Sequence, residues 1–280
     1  MTLDPEDRQR HLPAGRKAEL AAYVAEAGQV TVSALAERFG VSIDTIRRDL
    51  DQLSAEGVLV RTYGGAVSQS TITNVDVRLS LQATEKEKIA VLAASLVDDG
   101  STIMINGGTT TLAVARNLRS HRDLTVATNN LLIPPALPFS AVRDMYVFGG
   151  AVRSITLATV GPVSFPIAGG TELDISCDLA LIGVGAISSK AGYTTSNLAE
   201  AVMMQEMIAR AARVAIVADS SKFGRRLFAQ VSELGSADYL VTDSTPPPDL
   251  LDALTENGVE LITPETSSQP GARQSVELAR

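Results

Sequence analysis

From about residue 85 to residue 263 the chain alternates helix-forming stretches with short apolar runs, and few folds tolerate that order. The stretch around Glu85–Val97 leads into the run Thr102–Ile105, and Thr110–Leu118 leads into Leu124–Ala127. Further runs stand at Met145–Phe148, Leu179–Gly183, Val214–Ala218, Tyr239–Val241 and Val259–Ile262. Near-continuous apolar runs belong to strands buried on both faces, and helices between consecutive strands supply the crossovers that a parallel sheet needs. The segment therefore predicts an α/β domain with a largely parallel sheet. Its core must be aliphatic, because the chain has no Trp and only 4% aromatic residues.

The chain before it follows a different period. Leu20, Tyr23, Val24 and Ala27 recur at helical spacing, and Gly28 follows as a stop. Thr31–Phe39 reads as a short second helix, with Ala34, Leu35 and Phe39 facing inward, Ser33 placed to cap its start and Gly40 breaking its end. Ser42 caps a third helix predicted to reach about Glu56, with Ile43, Ile46, Leu50 and Leu53 on one face. Gly57 ends that helix, and Val58, Leu59 and Val60 lead as a strand into the turn Gly64-Gly65. Two short helices, a Gly-containing turn, a capped third helix and a hairpin predict a winged helix-turn-helix over residues 13–67. Residues 68–84, rich in Ser, Thr, Gln and Asn, read as a linker to the 85–263 domain. The first twelve residues and the polar stretch 264–280 read as a loose arm and a disordered tail.

A net charge of −8 argues against indiscriminate binding to nucleic acid or anionic membrane, but DNA contacts need only a local basic surface. The third helix offers one. With its apolar face buried, Asp44, Thr45, Arg47 and Arg48 lie on the sides and outer surface, where Arg can bridge guanine O6 and N7 and Thr can touch a thymine methyl or a phosphate. Met1 to Ala66 carries eight Lys and Arg against ten Asp and Glu, a net −2, so placement of Arg47, Arg48 and Arg61 matters and overall charge does not. The lone Cys177 sits in an apolar stretch and reads as a buried small hydrophobe. With His11 and His121 far from it in sequence, nothing frames a metal site, and no cofactor is implied. No apolar run approaches the roughly 18 residues of a membrane span, so a soluble cytoplasmic protein is expected.

The segment "VSALAERFGVSIDTIRRDLDQLSAEGVLVRTYGGAV" closely resembles the DNA-binding module of DeoR-type regulators. That resemblance implies operator contacts through Ser42, Asp44, Thr45, Arg47, Arg48, Arg61 and Tyr63. Tyr63 departs from the family, which commonly has His before the two glycines, and this bears on the wing's backbone contact.

In the larger domain the sharpest motif is "INGGTTT", Ile105 to Thr111, between a strand and a helix. Glycines let backbone approach a ligand, and threonine hydroxyls with free amides at a helix start can hold a phosphate. "TNN" at Thr128–Asn130, "FGGAVR" at Phe148–Arg153, "GYTTSNLAE" at Gly192–Glu200 and "ADSSKFG" at Ala218–Gly224 fall near other strand ends, where open α/β sheets place ligands. In this order and spacing they resemble the effector domain of the same family, over roughly residues 16 to 243 in all. The resemblance implies a Rossmann-like sensor domain related to ribose-5-phosphate isomerase and CoA-transferase folds, holding a phosphorylated sugar. Gly108, Thr109 and Thr110 would take the phosphate, Asn129 and Gly150 would line the pocket, and Thr195, Asn197, Glu200 and Lys222 would meet hydroxyls or a carbonyl. Asn106 and Met204 stand where the family often has Asp and Lys, and the lost carboxylate at 106 suggests a more acidic or oxidised ligand.

The implied function is a non-enzymatic DNA-binding regulator. Within this family that is usually a repressor of a sugar-utilisation operon, acting on double-stranded operator as a homo-oligomer, dimer or tetramer. Two other readings compete. One is a sugar-phosphate isomerase-like enzyme with an appended N-terminal module, using Glu200 and Lys222, although Asn106 removes an acid from its first loop. The other is a ligand-blind architectural protein, which leaves the Gly/Thr loops without a purpose.

Overall fold

The structure is a computed structural model that describes residues 13–27, 29–55, 58–62, 64–68, 75–166, 172–173 and 175–267. The loose arm expected at 1–12, the stop at Gly28, the third helix's end at Glu56 and Gly57, and Tyr63 lie outside the described residues. The chain divides into two compact units, Met1–Leu81 and Gln82–Arg280.

In the first unit, helix Pro13–Ala27 opens on a proline, whose missing N–H costs nothing at a helix start. A short strand, Gln29–Thr31, follows. Helix Val32–Phe39 is capped by Thr31, whose Oγ1 accepts from the Ala34 N–H at 3.2 Å, and not by Ser33 as expected. Ala34 is exposed, and it is Val32 and Leu35 that turn inward. Gly40, at φ 63°, closes this helix in the left-handed conformation that glycine adopts without strain. Helix Ile43–Ala55 starts where Ser42 Oγ accepts from the Thr45 N–H at 3.2 Å.

Ile46, Leu50 and Leu53 pack against Leu20, Val24, Leu35 and Leu59 in one apolar core. Each such side chain contributes about 1.5–3 kcal/mol by leaving water. Ile43 does not join them; it is 44% exposed, because the helix's first turn projects past the core. Strands Leu59–Thr62 and Gly65–Ser68 form the wing, and the second of them also pairs antiparallel with Gln29–Thr31. Gly65 is required there, since a Cβ would stand 1.9 Å from the Val30 carbonyl oxygen. The stretch read as a linker carries a helix, Val75–Ser80.

The second unit is built on a seven-stranded, wholly parallel sheet. From one edge to the other the strands are Glu260–Ile262, Tyr239–Val241, Ala211–Val217, Cys177–Gly183, Thr102–Ile105, Leu124–Thr128 and Val142–Val147. The five inner strands take mostly apolar residues because helices such as Ala83–Ala94, Thr109–Arg116 and Leu198–Ala209 pack over them. Cys177 is buried at 5% exposure. Short antiparallel pieces, which the sequence reading did not separate, decorate this sheet: hairpin Ala151–Arg153 with Ala158–Val160, and a three-stranded sheet of Ala186–Ser188, Gly192–Thr195 and Ala229–Ser232. The stretch expected to be a disordered tail begins as a short helix, Pro264–Ser267, and 268–280 lie outside the described residues.

The strand order fixes the site. From Thr102–Ile105 the chain winds toward one edge of the sheet, and from Cys177–Gly183 it winds toward the other. These two strands are neighbours, so successive crossovers leave a crevice beyond their C-terminal ends, at Asn106 and Gly183.

Candidate DNA-reading face and effector crevice

The outer face of helix Ile43–Ala55 is open. Ser42, Asp44, Arg47 and Arg48 are exposed and Thr45 is half-buried. Arg47 sits 3.5 Å from Asp44 across one helical turn, a solvent-screened pair that leaves the guanidinium free to exchange partners. Ile43 shares this face as an exposed apolar group, which the sequence reading had placed inside. Arg61 behaves differently. Its Nε donates to Asp51 Oδ1 at 2.8 Å and its Nη1 to the Gly65 carbonyl at 3.1 Å, so it ties the wing to the third helix. Beneath the face, Arg16 Nε donates to Asp49 Oδ2 at 2.7 Å in a mostly buried pair. Sequence spacing gave no sign of that contact, because the partners are 33 residues apart.

In the second unit the loop after strand Thr102–Ile105 is held from several sides. Thr111 Oγ1 donates to the Asn106 carbonyl at 2.8 Å, and Asn130 Nδ2 donates to the Gly108 carbonyl at 3.0 Å. Asn106 is 1% exposed and its side chain grips Gly183 with both ends. Nδ2 donates to the Gly183 carbonyl at 2.8 Å, and Oδ1 accepts from the Gly183 N–H at 2.8 Å. Gly107 has no room for a Cβ, which would stand 2.5 Å from the Ala158 Cβ. Helix Thr109–Arg116 then begins on Gly108, which offers no side-chain cap. The first-turn amides of Thr109 and Thr110 thus face the switch point with the positive end of the helix dipole.

Beside this loop lies a recess lined by Asn106, Asn129, Glu200, Met203, Met204 and Met207. It has room for about one water molecule. Asn129 Nδ2 donates to the Thr159 carbonyl at 2.7 Å, while its Oδ1 is buried without a partner. Glu200 Oε1 stands 3.0 Å from Arg153 Nε and 3.4 Å from Thr156 Oγ1, and Oε2 is 3.4 Å from Thr195 Oγ1. Asn197 caps helix Leu198–Ala209 by accepting from the Glu200 N–H at 3.0 Å.

Of the ten residues expected to meet an effector, Asn106, Asn129 and Glu200 line the recess. Gly108, Thr109 and Thr110 stand on the adjoining loop and helix start, and Thr195 and Asn197 contact Glu200. Gly150 and Lys222 are not among the lining residues. Gly150, at φ 126°, lets the hairpin backbone pass the Val160 carbonyl, which a Cβ would approach to 2.2 Å. Lys222 Nζ lies 3.7 Å from Asp219 Oδ2 on the turn after strand Ala211–Val217. Thr156, Met203 and Met207 were missed. Thr156 reaches Glu200 only through the fold, whereas the two methionines share its helix at i+3 and i+7, a spacing that could have found them. Arg153 and Met204 were noted only as the end of a motif and as a departure from the family. Among the described residues no group of three or more His, Cys, Asp or Glu could hold a metal ion, and no helix is long and apolar enough to cross a membrane.

Family profiles match both units: a DeoR-like helix-turn-helix domain over residues 16–72, and a DeoR C-terminal sensor domain over residues 81–244. The chain belongs to the DeoR family. Within it, the HTH-type transcriptional repressor CsqR of Escherichia coli is 32% identical, over 89% of this chain and 95% of that protein. The glycerol-3-phosphate regulon repressor of Escherichia coli is 31% identical, over 85% of this chain and 94% of its own length. Among solved structures, ribose 5-phosphate isomerase from Plasmodium falciparum aligns with 49% of this chain and 52% of its own, at 14% identity and a TM-score of 0.33. As a DeoR-family member the chain is a DNA-binding transcriptional regulator with a sensor domain.

Proposed function

We propose that this chain represses genes for the use of a sugar or sugar derivative, and that a phosphorylated sugar metabolite bound in the switch-point crevice controls its hold on operator DNA. The observation that carries this reading is the pairing, at one crevice, of an uncapped helix start with a buried, unpartnered acceptor on Asn129 and an anchored Glu200. Amides of Gly108, Thr109 and Thr110 take the phosphate. Asn129 and Glu200 take hydroxyls, Thr195 and Asn197 hold Glu200 in place, and Lys222 approaches from the neighbouring turn. Gly150 acts by shaping the hairpin, and Asn106 by fixing the loop to Gly183. The name of the glycerol-3-phosphate regulon repressor, a relative over most of the chain, is in keeping with such a ligand.

On the DNA side, Arg47 and Arg48 read or grip the major groove, Ile43 offers an apolar contact to a thymine methyl, and Arg61 sets the wing. The active species is a two-fold oligomer working in the cytoplasm, reading half-sites about 34 Å apart or a multiple of it. An enzymatic role fits less well. Glu200, the candidate base, is already engaged by Arg153, Thr156 and Thr195.

A mobility-shift titration on the chain's own promoter at about 100 mM salt tests the DNA half. Arg47→Ala should weaken binding severalfold and leave effector binding intact. Equal operator affinity in wild type and variant would mean that another face of the helix meets DNA.

A further inference from the structure

The recess beside the glycine loop makes one chemical demand, and that demand narrows the effector. We propose that it is a hydroxyl subsite. The effector is then a phosphorylated polyol or sugar whose end away from the phosphate is a neutral hydroxyl and not a carboxylate. This inference rests on the crevice being the effector site.

The polar atoms around the recess are nearly all spent. Asn106 gives both ends of its amide to Gly183. Asn129 Nδ2 points at two acceptors, the Thr159 carbonyl at 2.7 Å and Met203 Sδ at 3.3 Å. That fixes which way the amide faces, since the reverse orientation would set its oxygen against both acceptors. Asn129 is 5% exposed, and its Oδ1 is left buried without a donor. Both Glu200 oxygens are acceptors too: Oε1 pairs in charge with Arg153 and accepts from Thr156, and Oε2 accepts from Thr195. Arg153 Nε makes no hydrogen bond, and Arg153 is not among the lining residues. Gly107, methionine side chains and Ala158 complete the lining.

A hydroxyl fits this surface on three counts. It donates to Asn129 Oδ1, its carbon rests on the thioethers, and it occupies the space of about one water molecule. A carboxylate brings only lone pairs to an unpaired oxygen, and the cation near it, Arg153, is already balanced in charge by Glu200. The sugar-acid ligand suggested by the missing carboxylate at position 106 therefore lacks a place here, because Asn106 is committed to the backbone.

Matched pairs that differ only at the terminal carbon test this on the wild-type full-length protein, so no variant needs to fold. Isothermal titration calorimetry would compare glycerol 3-phosphate with 3-phosphoglycerate, and glucitol 6-phosphate with 6-phosphogluconate, with inorganic phosphate as reference. In whichever pair binds, the alcohol should bind about tenfold or more tightly than the acid, the scale set by leaving a buried acceptor unpaired. An acid that binds as well as its alcohol overturns the proposal, as do alcohols that bind no better than inorganic phosphate. Silence from all five, phosphate included, overturns the effector reading beneath it.

Discussion

Replacing Asn106 by Asp changes one atom and tests how the crevice is held together. Of the two hydrogen bonds to Gly183, the one from the Gly183 N–H survives, since a carboxylate oxygen accepts it as the amide oxygen does. The other reverses in sign, because a second oxygen now faces the Gly183 carbonyl at the 2.8 Å spacing of the present bond. Losing that bond and leaving its carbonyl unpaired in a buried site costs about 2–4 kcal/mol with the carboxylate charged. The charge need not form, however. A protonated Asp carries one donor and one acceptor and can restore both contacts, so the folded state holds the proton more tightly than the unfolded chain. Across the interval between the ordinary Asp value of about 4 and the raised folded one, the unfolded chain has lost its proton and the folded one keeps it, so stability falls as pH rises. Urea unfolding of wild type and Asn106→Asp at pH 4 and pH 8 measures this. The variant's deficit should be small at pH 4, where the unfolded chain also keeps much of its proton, and near its full size at pH 8. A deficit that is absent at pH 8, or equal at both values, would refute the clamp.

Three further outcomes follow from contacts elsewhere. Gly65→Ala should open the wing, because its Cβ would lie 1.9 Å from the Val30 oxygen, and circular-dichroism melts should show the first unit losing stability together with operator affinity. Asp49→Ala strands Arg16 in a pair whose side chains are 13% and 7% exposed, and should cost about 3 kcal/mol in urea unfolding; a change near zero would mean Arg16 reaches water unaided. Burial pushes the Cys177 thiol up to about 11, so iodoacetamide at pH 8 should label it only after unfolding, and the thiol's contribution to stability should fall as pH rises from about 9 toward that value. Rapid labelling of the native protein would place Cys177 nearer the surface.

Much of this architecture was legible because its causes are local. Apolar runs such as Leu179–Gly183 announced the parallel strands, and Ser42 and Gly40 marked helix boundaries through the atoms that now make those contacts. Errors arose where local pattern and tertiary position part. Ile43 shares the helical period of Ile46, Leu50 and Leu53, yet the core ends one turn short of it. Thr31 took the capping role assigned to Ser33 because a strand delivers it to the helix start. The short antiparallel hairpins carry too few residues for a period to show. The crevice was half visible: its glycine loop is a contiguous motif, while the Asn106–Gly183 clamp joins residues 77 apart and the Thr156–Glu200 contact joins residues 44 apart. No spacing rule reaches across such gaps.

On the proposed function, one ligand bound in the crevice alters how the first unit holds DNA. The most direct test is the affinity of the full-length chain for its own promoter fragment, measured while a phosphorylated sugar shown by calorimetry to bind is raised to saturation. The DNA dissociation constant should shift by about fivefold or more, the lower end of ordinary coupling between sites. An unchanged constant with the crevice filled would contradict that coupling.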